Sequence, residues 1–156
     1  TPMVNHKMIR ALGLLFPLLL LLGCEQARVD AQMEALCKQD GGMKIYEKVV
    51  LPEDQFTEYG DVKFFKGWNG NGSAASGGYK FVFKGEDIHI NKPTLSRNFA
   101  MVIREADNKV LGTYVFYLRI GGGILPRLGP DPAKRCPAIK GGTTFFLRGI
   151  FVKENG

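Results

Sequence analysis

The chain has 156 residues, of which 45% are hydrophobic and 23% charged, and its formal net charge is +6. That length supports one domain with a real core and excludes two of ordinary size, while the composition excludes wholesale disorder. Lys and Arg are scattered singly among apolar residues, Lys134-Arg135 being the only adjacent pair of the mature part, so the dense basic stripe of a nucleic-acid partner is missing.

The first predicted element is a signal. From Ala11 to Leu22 every residue except Gly13 and Pro17 is apolar. That is about a dozen residues where a membrane span needs ~20. His6, Lys7 and Arg10 precede the run, giving the basic head and apolar middle of a secretory signal peptide over residues 1–23. Its removal leaves a charge of about +4, enough only for weak attraction to anionic surfaces.

Leu21-Leu22-Gly23-Cys24 resembles the lipobox of bacterial lipoproteins, in which a small residue precedes a Cys directly after the apolar segment. The resemblance implies that the Cys24 thiol takes a diacylglycerol, that cleavage follows Gly23, and that the new amino terminus is acylated. Leu22 departs slightly from the Ala or Ser usual at its place. Two or three acyl chains would hold the protein firmly, each buried methylene adding ~0.8 kcal/mol. Glu25 stands where Asp would retain an enteric lipoprotein in the inner membrane, so the resemblance implies a periplasm-facing protein, with the outer membrane favoured. The competing reading is a Cys that merely follows an uncleaved or conventionally cleaved signal.

With Cys24 assigned to lipid, Cys37 and Cys136 remain as a pair that an oxidising compartment would bond. They would close a loop of roughly 100 residues, for which loop-closure entropy gives ~4 to 5 kcal/mol. A catalytic thiol is the alternative, but it needs a base, and the only His outside the signal region is His89.

Glu25 to Gln39 places Val29, Met33, Leu36 and Cys37 at helical spacing, and Asp40-Gly41-Gly42 stops the run. A short amphipathic helix is predicted, packed on the domain or serving as a stalk. Beyond Gly42 the texture changes to short runs of Val, Ile, Phe and Tyr separated by Gly, Pro, Asn and Asp, which predicts strands and turns. The runs are Lys44 to Leu51, Val62 to Lys66, Tyr79 to Phe83 extended by Asp87 to Ile90, a hairpin from Phe99 to Ile120 turning at Asp107-Asn108, and Thr143 to Val152. Two stretches, Gly67 to Gly78 and Gly121 to Gly142, read as long loops rich in Gly, Ser or Pro.

The expected fold is therefore α+β: one amino-terminal helix, then a mainly antiparallel sheet of about six strands able to curl into a partial barrel. Residues 24–42 hold the lipidated terminus and helix, and residues 43–156 the β-rich domain.

Catalytic motifs are absent. Gly72 to Gly77 is followed by Gly78 and Tyr79, without the Lys-Ser/Thr and helix of a phosphate-binding loop. His89 and the two remaining cysteines lack the spacing of a zinc site, so neither metal nor cofactor is expected. On a strand His89 would point away from Ile88 and Ile90, towards solvent. The pairs Glu53-Asp54 and Glu86-Asp87 fall at turns, where solvated charge explains them. Trp68, Arg119, Arg127 and Arg135 are the candidate binding surface, built by the two long loops, with Trp68 capping the core as the blander reading.

Read together, Cys37 to Pro52, Val110 to Gly123 and Cys136-Pro137 resemble a group of small proteobacterial lipoproteins and exported proteins. That resemblance carries no activity; it implies export and supports pairing of Cys37 with Cys136. "SGGYKFVFKGED" (Ser76 to Asp87) is similar to the Ser-Gly-x-x-Tyr loop of membrane-bound lysozyme inhibitors, although spacing, length and cysteines depart from them. The expected function is a lipid-anchored, non-catalytic binding or structural module of the cell envelope, tied to membrane lipid through Cys24 and to an envelope or cell-wall partner. The alternatives are an envelope-acting enzyme built on His89, Glu86 or Asp87, and a lysozyme-inhibitor-like binder using Ser76 to Lys80.

Overall fold

A computed structural model describes residues 24–68, 70–122 and 132–154. Residues 24–40 are helical (α1), with Val29, Met33 and Cys37 buried along one stripe. The helix stops where Gly41 donates its N–H to the Cys37 carbonyl at 2.8 Å. A Cβ on Gly41 would lie 2.5 Å from that oxygen, so the turn admits only glycine. No helix among the described residues is long and apolar enough to cross a membrane.

The chain continues through β1 (Gly42–Ile45), β2 (Val49–Leu51), a 3-10 turn at Glu53–Gln55, β3 (Gly72–Ser76), β4 (Tyr79–His89), β5 (Thr94–Arg104), β6 (Lys109–Ile120), β7 (Ala133–Cys136), α2 (Gly142–Ile150) and β8 (Phe151–Lys153). Six strands form one antiparallel sheet in the order β1-β6-β5-β4-β3, with β7 also paired to β6. β2 and β8 form a separate parallel pair. The fold is thus α+β with a helix ahead of a six-stranded sheet, and the sheet stays open.

The β5–β6 hairpin turns where the sequence places it. Arg104 holds Asp107 through two hydrogen bonds of 3.0 and 2.7 Å, Asp107 accepts the Lys109 N–H at 3.2 Å, and Asn108 takes the left-handed conformation at φ 55°. Each face of the sheet has its own core. Tyr114, Phe116, Ala100, Val102 and Phe81 meet α2 and the segment after β2 on one face. Leu95, Val115 and Tyr117 meet Val29, Met33 and Cys37 of α1 on the other.

Five sequence expectations are corrected. The run Lys44 to Leu51 divides into β1 and β2, which join different sheets. Val62 to Lys66 is not a strand: Val62 makes one bridge to Phe56 and the chain then turns. Phe64, Phe65 and Trp68 all reach Phe81, and adjacent strand residues could not share a face in that way. The stretch Gly67 to Gly78 contains β3, closed onto β4 by the Gly77-Gly78 turn, both glycines at positive φ. Thr143 to Val152 is mostly helix, because Phe146, Leu147 and Ile150 form a helical stripe that the sheet buries; only its end becomes β8. The second long loop similarly hides β7, and Arg127 within it lies outside the described residues.

Cys37 and Cys136 form a disulfide across 99 positions of sequence, joining the end of α1 to the end of β7. Reduction is expected to lower the unfolding free energy by about 2–5 kcal/mol. Denaturant titration with and without reductant measures it, and in the reduced protein alone α1 should detach first.

Candidate functional site

Helix α1 lies along β6 and runs against it. The Gln26 side chain lies 3.2 Å from where a Gly122 Cβ would be, Asp30 reaches Arg119, and Cys37 bonds Cys136, which pairs with Tyr117. From Gln26 to Cys37 the helix rises about 17 Å, and from Gly122 back to Tyr117 the strand spans about 17 Å, so contacts stay in step. Cys24 is an exposed free thiol at this end of the sheet.

Polar contacts clamp the helix to the strand. Arg119 is only 4% exposed; its Nε donates to Asp30 at 2.8 Å, and Nη1 donates to the Gly121 and Pro132 carbonyls at 2.6 and 3.0 Å. Lys134 on β7 donates to Glu34 at 2.7 Å. At the other end of the helix, Asp40 accepts from the Tyr117 hydroxyl at 2.7 Å and from Arg97 at 2.7 and 3.0 Å. Burial pushes the Asp40 carboxyl up, but Tyr117 and Arg97 outweigh it and hold it below its ordinary value. Hydrogen bonding to Lys134 lowers Glu34; bonding to Lys109 and Arg104 lowers Glu47.

Arg127 lies outside the described residues, and the other three residues of the expected binding surface do not form one patch. Arg119 belongs to the α1 face and is internal. Arg135 is exposed on the opposite face, its guanidinium 4.6 Å above the Phe116 ring. Trp68 shares that face but is packed among Phe65, Phe81 and Phe83, with Nε1 buried and without a hydrogen-bond partner among the described residues. It caps the core. His89 does not face solvent alone while its neighbours hide: Ile88 and Ile90 are exposed, and the half-buried imidazole Nδ1 is 2.9 Å from the Pro93 carbonyl. A bulge between Asp87 and His89 breaks the alternation that predicted the reverse. Glu86 pairs with Lys84 at 2.7 Å, and Glu53 with Lys153 at 3.3 Å. Ser76 to Lys80 forms the end of β3, its glycine turn and the start of β4.

Sequence reasoning missed a cleft of about 300 Å³ between α2 and the segment after β2. Val62, Phe65, Leu147 and Phe151 give it an apolar floor; Asp61 and Arg148, 3.0 Å apart, form its charged rim. Arg148 also donates to the Tyr59 carbonyl at 2.6 Å, so its fork is held in place. The cleft depends on α2, which the sequence disguises as a strand. Such a lining suits an amphipathic ligand or side chain. Among the described residues no group of three or more His, Cys, Asp or Glu could hold a metal ion. No family model, curated protein or solved structure matches the chain.

Two outcomes follow. Asp30→Ala leaves the Arg119 charge partly unpaired in a buried setting and should cost about 2–3 kcal/mol, whereas Asp30→Leu with Arg119→Met should recover most of that loss; a double-mutant cycle by denaturant unfolding measures both. A carboxylate whose pKa is depressed by folding stabilises the fold above its unfolded value, and that contribution disappears as pH falls through the folded one. With Asp107 held down to about 2 from 3.8 by Arg104, and Asp40, Glu34 and Glu47 also lowered, thermal stability should drop progressively between about pH 4 and pH 2. Asp107→Asn should make the drop shallower.

Proposed function

We propose that the chain is an exported, lipid-anchored protein of the cell envelope whose β-rich domain is a non-catalytic binding or structural module. Acylated Cys24 holds it to the membrane, facing the periplasm with outer-membrane sorting favoured, and the cleft beside α2 is the place for an envelope or cell-wall partner. The observation that carries this reading is the division of labour among the cysteines. Cys37 and Cys136 are joined, as an oxidising compartment permits, while Cys24 alone is free and exposed, at the head of a helix clamped to the sheet. The lipobox resemblance supplies the chemistry of that remaining thiol.

The tethered domain then does its work by presentation. The cleft offers an apolar floor of 300 Å³ scale with an ordered ion pair at its rim. Expression of Cys24→Ala in a bacterial host fed a clickable fatty acid tests the reading. Labelling should vanish, and an uncleaved precursor or a soluble product should accumulate. Retention of label, membrane fraction and mature mass in Cys24→Ala would overturn it. A second readout is crosslinking in whole envelopes from a photoreactive residue in place of Thr144 at the cleft, which should yield a discrete adduct.

A further inference from the structure

We infer that the turn between β4 and β5, together with the end of β6, forms a membrane-facing edge that enters the interface of the bilayer holding Cys24. The inference rests on the lipid-anchor reading and adds an orientation to it. Among the described residues the exposed large hydrophobic side chains include three isoleucines at one end of the sheet: Ile88 at 40%, Ile90 at 76% and Ile120 at 38%. Ile120 pairs with Thr94, the first residue of β5, so all three surround the same turn.

This is also the end at which the anchor emerges. Gln26, two residues after Cys24, and Pro93 of the turn flank Gly122 together, each with side-chain atoms 3.2 Å from where a Cβ on that glycine would lie. Two helical residues rise about 3 Å. An interfacially bound apolar group sits about 5–10 Å into the headgroup boundary, so the turn lies within that depth of an acylated Cys24. The local geometry presents the isoleucines rather than merely leaving them uncovered. The bulge after Asp87 re-aims the end of β4, and the His89 ring against the Pro93 carbonyl braces the turn with Ile90 beyond it. Asn91 and Lys92 are exposed beside Ile90, and the Lys92 stem lies near Gly121, giving the apolar tip a polar margin suited to headgroups. A domain held by flexible acyl chains alone would tumble over the surface. A second, apolar contact beside the anchor fixes which way the sheet points, and directs the β5–β6 turn away from the bilayer by the length of β5, about 35 Å.

The test uses the processed, acylated full chain carrying Ile90→Cys or Ala106→Cys. Acylation occupies Cys24 and the disulfide occupies the other two cysteines, so each new residue is the sole thiol for a nitrobenzoxadiazole label. Both positions are exposed, which leaves the cores untouched. In phosphatidylethanolamine–phosphatidylglycerol vesicles containing nitroxide-labelled lipid, the label at 90 should be quenched several-fold more than the label at 106 and should emit further to the blue. Equal, weak quenching at both positions in acylated, vesicle-bound protein would overturn the edge and leave the anchor intact. Unmodified Cys24 by mass spectrometry, with no vesicle association of either variant, would overturn both.

Discussion

A strand has two edges and two faces, and β6 uses all four. One edge pairs with β5 along its whole length; the other takes β1 along its first part, Gly112 to Val115, and β7 along its last, Tyr117 to Ile120. Alternation sends Tyr114 and Phe116 to the α2 face and Val115, Tyr117 and Arg119 to the α1 face. A slip of one residue would exchange these sets, carrying the aromatics to the narrower α1 face and turning Arg119 away from Asp30. The register of this one strand therefore decides where both helices, the disulfide and the cleft can be.

The two faces are held by different physics. On the α2 face a chain of rings runs from Trp68 through Phe81 and Phe83 to Phe116, Tyr114 and Phe146, and apolar burial dominates. On the α1 face the buried apolar stripe is narrow, and the helix is held at both ends by polar groups. Asp30 with Arg119 and Glu34 with Lys134 fix its beginning and middle; Asp40 with Tyr117 and Arg97, and the Cys37–Cys136 bond, fix its end. That arrangement makes the helix part of the domain rather than a stalk, and ties its placement to the redox state of its surroundings.

The sequence was most legible where local and tertiary preferences agree. Phe99 to Ile120 reads as a hairpin because alternation and the Asp107-Asn108 turn point to the same structure, and α1 reads as a helix because its apolar stripe and Asp40-Gly41-Gly42 stop coincide. Legibility failed where tertiary packing overrides composition. Thr143, Thr144, Phe145 and Phe146 carry strand-forming residue types, yet the sheet face needs Phe146, Leu147 and Ile150 on one stripe. The small residues of β3 gave no apolar alternation, and the only local clue to its pairing was Gly77-Gly78. The cleft was invisible for the same reason as α2. Arg119 looked like a surface anchor because nothing local reveals that Asp30, 89 positions earlier, closes over it.

A rigid α1 transmits the position of Cys24 to the whole sheet, and both the anchored reading and the orientation of the domain depend on that rigidity. Hydrogen exchange of the oxidised protein, resolved to individual amides of residues 29–40, tests it most directly. The account predicts that these amides are protected to the same free energy as those of β6, opening only with global unfolding. Exchange of the helix at near-peptide rates while β6 stays protected would contradict it.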